Sequence, residues 1–92
     1  MIVRISTEGQ YRLRSAYLDR LNQLDNRVVE VTAKGNETRF RTAYTRMLEF
    51  VRQKGEPVAA TELVESDVVL PSPDLTLAEA KSLFTGQGVI PG

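Results

Sequence analysis

Apolar residues recur at helical spacing through the middle of the chain, between residues 15 and 55. The two stripes consist of Tyr17, Leu21, Leu24, Val28 and Val31, and of Phe40, Tyr44, Met47 and Val51. Steps of three and four residues keep each stripe on one face of a helix. Ser15 and Asn36 suit helix N-caps, and Gly35 suits the left-handed residue that ends a helix. The pattern predicts two amphipathic helices that fold back on each other as a hairpin.

The second helix carries more apolar surface than a single partner helix covers. Ala43, Leu48 and Phe50 flank its stripe, so the apolar arc is roughly 160° wide at the helical period. The first helix uses only part of this arc, and the remainder must face a sheet or another molecule. Two arginines lie along each edge of the arc: Arg39 and Arg46 on one side, Arg41 and Arg52 on the other.

Short β-rich segments flank the helical hairpin. Residues 2–5 and 10–14 are separated by a turn sequence that contains Gly9, which predicts a β-hairpin. An isolated two-stranded hairpin is marginally stable in water. We therefore expect the apolar run at residues 67–70 to join it as a third strand.

A short third helix is predicted after these strands. Thr76 and Glu79 have the spacing of a capping box at a helix start. The expected fold class is α+β, with one domain spanning residues 1–92. The helical hairpin and the third helix pack on a small three-stranded antiparallel sheet.

The residue inventory argues against catalysis and metal binding. The chain contains no His and no Cys, so the usual general base, thiolate nucleophile and zinc ligands are missing. Glu62, Glu65 and Asp67 lie close together in the sequence and could hold a hard cation. A solvated connector is the favoured interpretation of these three acids. We expect no catalytic residue, no metal site and no cofactor.

The net charge is zero, but the charges are unevenly distributed. Residues 1–54 hold 11 Lys and Arg against 6 Asp and Glu, whereas residues 55–92 hold 1 Lys against 6 acids. Either the acidic part folds onto the basic hairpin, or the basic part faces an acidic partner. The sequence shows neither a secretion signal nor an apolar run of the ~20 residues that span a bilayer. The expected compartment is the cytoplasm.

Two other classes of function stay open at this point. Basic strands that bear an aromatic side chain can bind nucleic acid through phosphate contacts and stacking. The candidate residues are Arg4, Tyr11, Arg12 and Arg14. The favoured interpretation places Tyr11 in the core and leaves the arginines solvated, and the neutral net charge argues the same way. The second class is a module that self-associates, because surplus apolar surface on a small domain favours pairing with another copy.

Short segments along nearly the whole chain carry a family resemblance. They are Met1-Ile2-Val3-Arg4-Ile5, Glu8-Gly9-Gln10-Tyr11-Arg12-Leu13, Leu18-Asp19-Arg20-Leu21-Asn22-Gln23-Leu24-Asp25, Asp67-Val68-Val69-Leu70-Pro71, Thr76-Leu77-Ala78-Glu79 and Gly88-Val89-Ile90-Pro91-Gly92. In order and spacing they resemble the phage-shock-protein-A-associated family, PspAA. The resemblance implies a small, non-enzymatic bacterial or archaeal partner of PspA. PspA is a long helical protein of the ESCRT-III type that coats and protects stressed membranes.

From this resemblance we expect an adaptor of the envelope-stress response that binds a PspA-like coiled coil. Apolar surface on the helical hairpin or the C-terminal tail would dock a partner helix, while arginines of the second helix pair with its acids. The candidate partner-binding residues are Arg39, Arg46, Phe50, Val89 and Ile90. Nucleic acid is not expected as a partner, and a homo-oligomer is compatible with the pattern. The protein would reach the inner face of the membrane only through its partner.

Overall fold

The computed structural model describes residues 1–84. Within them the elements are β1 (Ile2–Ile5), β2 (Gly9–Arg12), α1 (Leu18–Lys34), α2 (Glu37–Lys54), β3 (Glu56–Pro57), β4 (Val68–Leu70) and α3 (Leu77–Leu83). A 3-10 turn at Ser15–Tyr17 precedes α1. The predicted α+β class is confirmed, with three α-helices and one sheet in this part of the chain.

The sheet has four strands in the order β3-β2-β1-β4 and is mixed. β1 pairs antiparallel with β2, where Val3 lies opposite Tyr11, and β3 adds antiparallel to the outside of β2. β4 runs parallel to β1, with Val69 beside Arg4. The prediction of three antiparallel strands was wrong in two respects. It missed the two-residue strand β3, and it gave β4 the wrong direction.

The close approach of Gly55 to β2 explains the unexpected strand β3. A Cβ atom at Gly55 would lie 2.8 Å from the Cβ of Tyr11, so only glycine lets the chain leave α2 directly beside β2. The backbone then pairs with β2 at once, placing Pro57 opposite Tyr11. Proline suits this edge position because it has no N–H to offer a further strand.

The path from β3 to β4 explains why β4 is parallel to β1. These strands lie at opposite edges of the sheet, and residues 58–66, here called the strap, cross its outer face. A parallel connection needs about ten to twelve residues, which the segment between the two strands provides. Gln10, whose side chain points away from the helices, donates from Nε2 to the Val64 carbonyl at 3.0 Å and to Ser66 Oγ at 2.9 Å. These bonds hold the strap on the sheet.

The helical hairpin forms as predicted, and its turn consists of Gly35 and Asn36. Gly35 has a left-handed φ of 71° and donates its N–H to the Thr32 carbonyl at 3.0 Å. The Asn36 side chain accepts from the N–H of Arg39 at 2.9 Å. Glycine adopts positive φ with little steric cost, so this tight turn follows from the local sequence. Ser15 does not act as the expected N-cap, because it begins the 3-10 turn instead.

The core lies between the helical hairpin and the inner face of the sheet. Its main members are Val3, Ile5, Leu13, Val68 and Leu70 from the sheet side, and Leu21, Val28, Val31, Phe40, Tyr44, Met47, Leu48 and Val51 from the helices. Ala80 and Phe84 add the contribution of α3 and its C-cap. Leu83, which lies about 100° around the helix from Phe84, is 46% exposed.

Two side chains of α2 hold the segment that links β4 to α3. Tyr44 is fully buried, and its hydroxyl donates to the Pro71 carbonyl. Arg41 donates to two further carbonyls of this segment, those of Pro73 and Leu75. Burial raises the pKa of the Tyr44 phenol, so the hydroxyl remains a neutral donor at physiological pH. These bonds position α3 against the helical hairpin.

We expect Tyr44→Phe to lower the free energy of unfolding by about 1–2 kcal/mol, because the Pro71 carbonyl loses its donor. Urea denaturation followed by circular dichroism measures the change. Tyr11→Phe is the matched control, since its hydroxyl bonds to the exposed carboxylate of Glu8, and its loss should be smaller. Equal losses in the two variants would contradict an anchoring role for Tyr44.

An ion pair ties the turn between β1 and β2 to α2. Arg52 donates from Nη2 to Glu8 Oε1 at 2.6 Å and from Nε to Oε2 at 2.9 Å. The Arg52 bond, followed by one from the Tyr11 hydroxyl, lowers the pKa of Glu8 from its ordinary value of 4.5. A depressed pKa means that the ionised carboxylate stabilises the fold above its unfolded pKa. That stabilisation is lost as the pH falls through the folded value.

Glu8→Gln should lower the free energy of unfolding by about 0.5–1 kcal/mol at pH 7, and by less at pH 3, where the native carboxylate is increasingly protonated. Thermal unfolding at the two pH values tests this difference. Arg52→Gln should have the same pH dependence. The double variant should lose little more than either single variant, since all three delete the same interaction. Fully additive losses would show that the two side chains act independently.

Candidate functional site

A basic groove runs between the solvent-facing sides of α1 and α2. Four arginines line it: Arg20 and Arg27 from α1, and Arg39 and Arg46 from α2. We call these residues the groove arginines. The groove has a volume of about 360 Å³, and none of its lining residues is acidic. It therefore concentrates positive charge on one side of the helical hairpin.

The groove arginines differ in whether their side chains already form hydrogen bonds or ion pairs within the protein. Arg27 pairs with Glu30 at 2.8 Å, and Arg20 donates to the neutral side chain of Gln23 at 3.1 Å. Within residues 1–84, the guanidinium groups of Arg39 and Arg46 make no hydrogen bond or ion pair; the bond near Arg39 comes from its backbone N–H. The α2 side of the groove thus presents two positive charges that no described carboxylate neutralises.

The floor of the groove is apolar. Leu24 is half-buried and Ala43 is only 6% exposed, so together they form a shallow surface between the two rows of arginines. Gln23, Thr38 and Thr42 complete the lining. A ligand in this groove would meet aliphatic surface at the centre and guanidinium groups along both edges.

Only some of the predicted partner-binding residues meet in this groove. Arg39 and Arg46 line it together. Phe50 does not: it lies one helical turn beyond Arg46, half-buried, and its ring packs edge-to-face on Tyr17 with centroids 5.9 Å apart. Val89 and Ile90 lie outside the described residues.

The ion pairs explain why the helical hairpin keeps its basic surface. In the described range, Arg12–Glu62 at 3.0 Å is the one ion pair that joins the basic part of the chain to the acidic part. The other pairs lie within residues 1–54: Arg27–Glu30, Lys34–Glu30 and Arg52–Glu8. Acids of the C-terminal part therefore do not neutralise the groove arginines within residues 1–84.

The proposed nucleic-acid face does not assemble on one side of the sheet. Tyr11 lies opposite the buried Val3 and faces the helices, whereas Arg12 lies opposite Ile2 on the other face and pairs with Glu62. A base stacked on Tyr11 would therefore not lie beside these arginines.

Two of the three acids that were candidates for a cation site, Glu62 and Asp67, bond to other groups. Glu62 pairs with Arg12, and Asp67 Oδ2 accepts from the Ile2 N–H at 2.6 Å. Residues 1–84 contain no group of three acids placed to hold a metal ion.

A family model that matches the whole chain establishes its family. The model of the family described as "PspA-Associated protein", PspAA, matches residues 1–92. The chain belongs to the PspAA family. This confirms the resemblance found in the sequence. The family implies association with PspA and is not a known enzyme family. Searches of curated proteins and of solved structures found no match.

No helix within residues 1–84 is both long enough and apolar enough to cross a bilayer.

Sequence reasoning missed the contribution of α1 to the groove of the PspAA chain. Arg20 and Arg27 are seven residues apart, as are Arg39 and Arg46, and this shared spacing could have revealed them. It also missed Asp25, which lies on the inner stripe of α1, is fully buried, and has a hydrogen-bonding or electrostatic partner. Its position four residues after Leu21 was the available signal.

We expect Arg39→Ala combined with Arg46→Ala to change the free energy of unfolding of this PspAA protein by no more than about 0.5 kcal/mol, because both side chains are exposed and unbonded within residues 1–84. Arg41→Ala on the same helix should lose about 1–3 kcal/mol, since two carbonyls lose a charged donor. Urea denaturation compares the two. A large loss in the double variant would mean that the groove arginines serve the fold.

Proposed function

We propose that this PspAA protein is a non-enzymatic adaptor that binds a PspA-like helical protein in the envelope-stress response. The site is the groove between α1 and α2. The observation that carries the proposal is the lining of this groove: four arginines, no acid and an apolar floor. Membership of the PspA-associated family supports a PspA-like protein as the partner.

The chemistry of the groove favours a helix as its occupant. An amphipathic helix can place its apolar side on a hydrophobic groove while polar residues remain along the edges. Arginine forms paired hydrogen bonds to a carboxylate, which fixes orientation as well as adding binding energy. The groove arginines would therefore select a partner helix with acidic edges over one with basic edges, by attraction and by repulsion.

The other candidate residues extend this contact in the proposal. Phe50 and Tyr17 form a half-buried aromatic pair beyond Arg46, which would add apolar surface at that end of the groove. Val89 and Ile90 stay candidates for a second contact through the tail. The protein would reach the inner face of the membrane through its partner and not by its own insertion.

The test is binding of the PspA-like protein of the same genome, measured by isothermal titration calorimetry. Arg39→Glu combined with Arg46→Glu should weaken binding at least about tenfold, because even one lost charge-assisted hydrogen bond costs ~1.5–3 kcal/mol. Arg4→Glu combined with Arg14→Glu is the matched control, since it makes the same change in net charge at two exposed arginines outside the groove.

The control variant should bind as the unchanged protein does. Equal weakening in both variants would show a dependence on net charge alone and would remove the groove from the proposal. Absence of binding by the unchanged protein would overturn the proposed function itself.

A further inference from the structure

The groove arginines form a regular array. On each helix the two arginines are seven residues apart, which corresponds to about two turns and about 10 Å along the axis. The helices are antiparallel and joined by a tight turn at Gly35 and Asn36. Arg27 and Arg39 therefore lie towards the turn, and Arg20 and Arg46 lie at the far end. The array therefore has two edges, one on each helix, with two arginines about 10 Å apart along each edge.

The apolar residues of the groove floor and the aromatic pair beyond it follow the same repeat. Phe50 comes seven residues after Ala43, so it continues the groove floor on the same side of α2. Tyr17 lies seven residues before Leu24 and packs on Phe50 at the far end. A seven-residue repeat of apolar positions flanked by charged positions is the pattern of a coiled-coil seam.

We infer that the groove is a coiled-coil seam that lacks one helix. Its occupant is a single partner helix with small aliphatic residues along its centre and Asp or Glu at seven-residue spacing along both edges. This helix would complete a three-helix bundle with α1 and α2, with one acid facing each groove arginine. The inference rests on the proposed function and adds the sequence pattern that the partner segment must carry.

A second copy of the chain does not supply such a helix. None of the helices in residues 1–84 carries two exposed acids seven residues apart; Glu30 and Glu37 have this spacing but belong to different helices. Residues 85–92 contain no acid at all. The positive charge of the array therefore points to an acidic helix from another protein.

The shape of the site also favours a helix over a lipid surface. The apolar floor lies between two helices and below two rows of arginines, so a flat bilayer would touch the rims and leave Leu24 and Ala43 uncovered. A helix about 10 Å in diameter can reach the floor and both rims together.

The test uses the full chain and two synthetic peptides of identical composition. In the matched peptide, acids occupy both edges of an aliphatic stripe at seven-residue spacing. In the displaced peptide, the same acids stand five residues apart, which distributes them around the helix. Fluorescence anisotropy should show that the matched peptide binds at least about tenfold more tightly, and circular dichroism should show that it gains helix on binding. Equal affinities would overturn the inference, because they indicate charge attraction without a seam.

A charge exchange on one edge tests the array directly. The variant with Arg39→Glu and Arg46→Glu should no longer bind the matched peptide. It should bind a third peptide in which the acids of one edge, and only that edge, are replaced by Lys. Arg4→Glu with Arg14→Glu should behave as the unchanged chain does. If the folded variant does not bind the third peptide, the predicted pairing of the partner's edge residues with the groove arginines is wrong.

Three further outcomes separate the possible occupants and the two proposals. The protein could bind anionic phospholipid vesicles more tightly than the matched peptide and lose this binding in the Arg39 and Arg46 variant. That result would show that the occupant of the groove is a lipid surface and not a helix. If sedimentation experiments show a dimer and this variant abolishes it, the occupant of the groove is a second copy of the chain. Binding of the matched peptide without binding of the PspA-like protein would support the seam and reject the proposed function. The opposite result, PspA-like binding with no preference between peptides, would reject the seam alone.

Discussion

The antiparallel packing of α1 on α2 is the contact on which both the fold and the groove depend. Val28, Val31 and Met47 are fully buried within it or beside it, and the sheet closes over one side. The opposite side stays open between the two helices. A tight turn fixes the register of this packing, so the core residues and the arginines are aligned by the same constraint.

The arginines of α2 have two different tasks that follow from their angular positions. Arg41 and Arg52 lie on one edge, where they bind loop carbonyls and Glu8, and they hold other parts of the chain to the helix. Arg39 and Arg46 lie on the other edge and make no such bonds within residues 1–84. Surface ion pairs are individually weak. Arg41 and Arg52 therefore stabilise the fold because they connect distant segments of the chain to α2, and not through charge alone.

Local features could be predicted from the sequence, and non-local ones could not. The hairpin turn and the capping box at Thr76 depend on neighbouring residues, and both formed as expected. The direction of β4 depends on how the strap crosses the sheet, which no hydrophobic pattern specifies. In the candidate site, Arg39 and Arg46 were predicted from the edge of one helix. Recognising Arg20 and Arg27 required comparing the spacing on two helices, and placing Phe50 required knowing where Tyr17 packs.

The parallel pairing of β1 with β4 has a consequence for synthesis on the ribosome. β1 emerges first, but its partner lies more than sixty residues later, as the bond between Ile2 and Asp67 shows. Until then β1 presents an unpaired edge, and such edges invite association with other chains. The helical hairpin, made of local contacts, can form in the meantime. Arg4 in the middle of that edge strand places a charge on its outer face during this interval, which is a recognised way of discouraging wrong pairing.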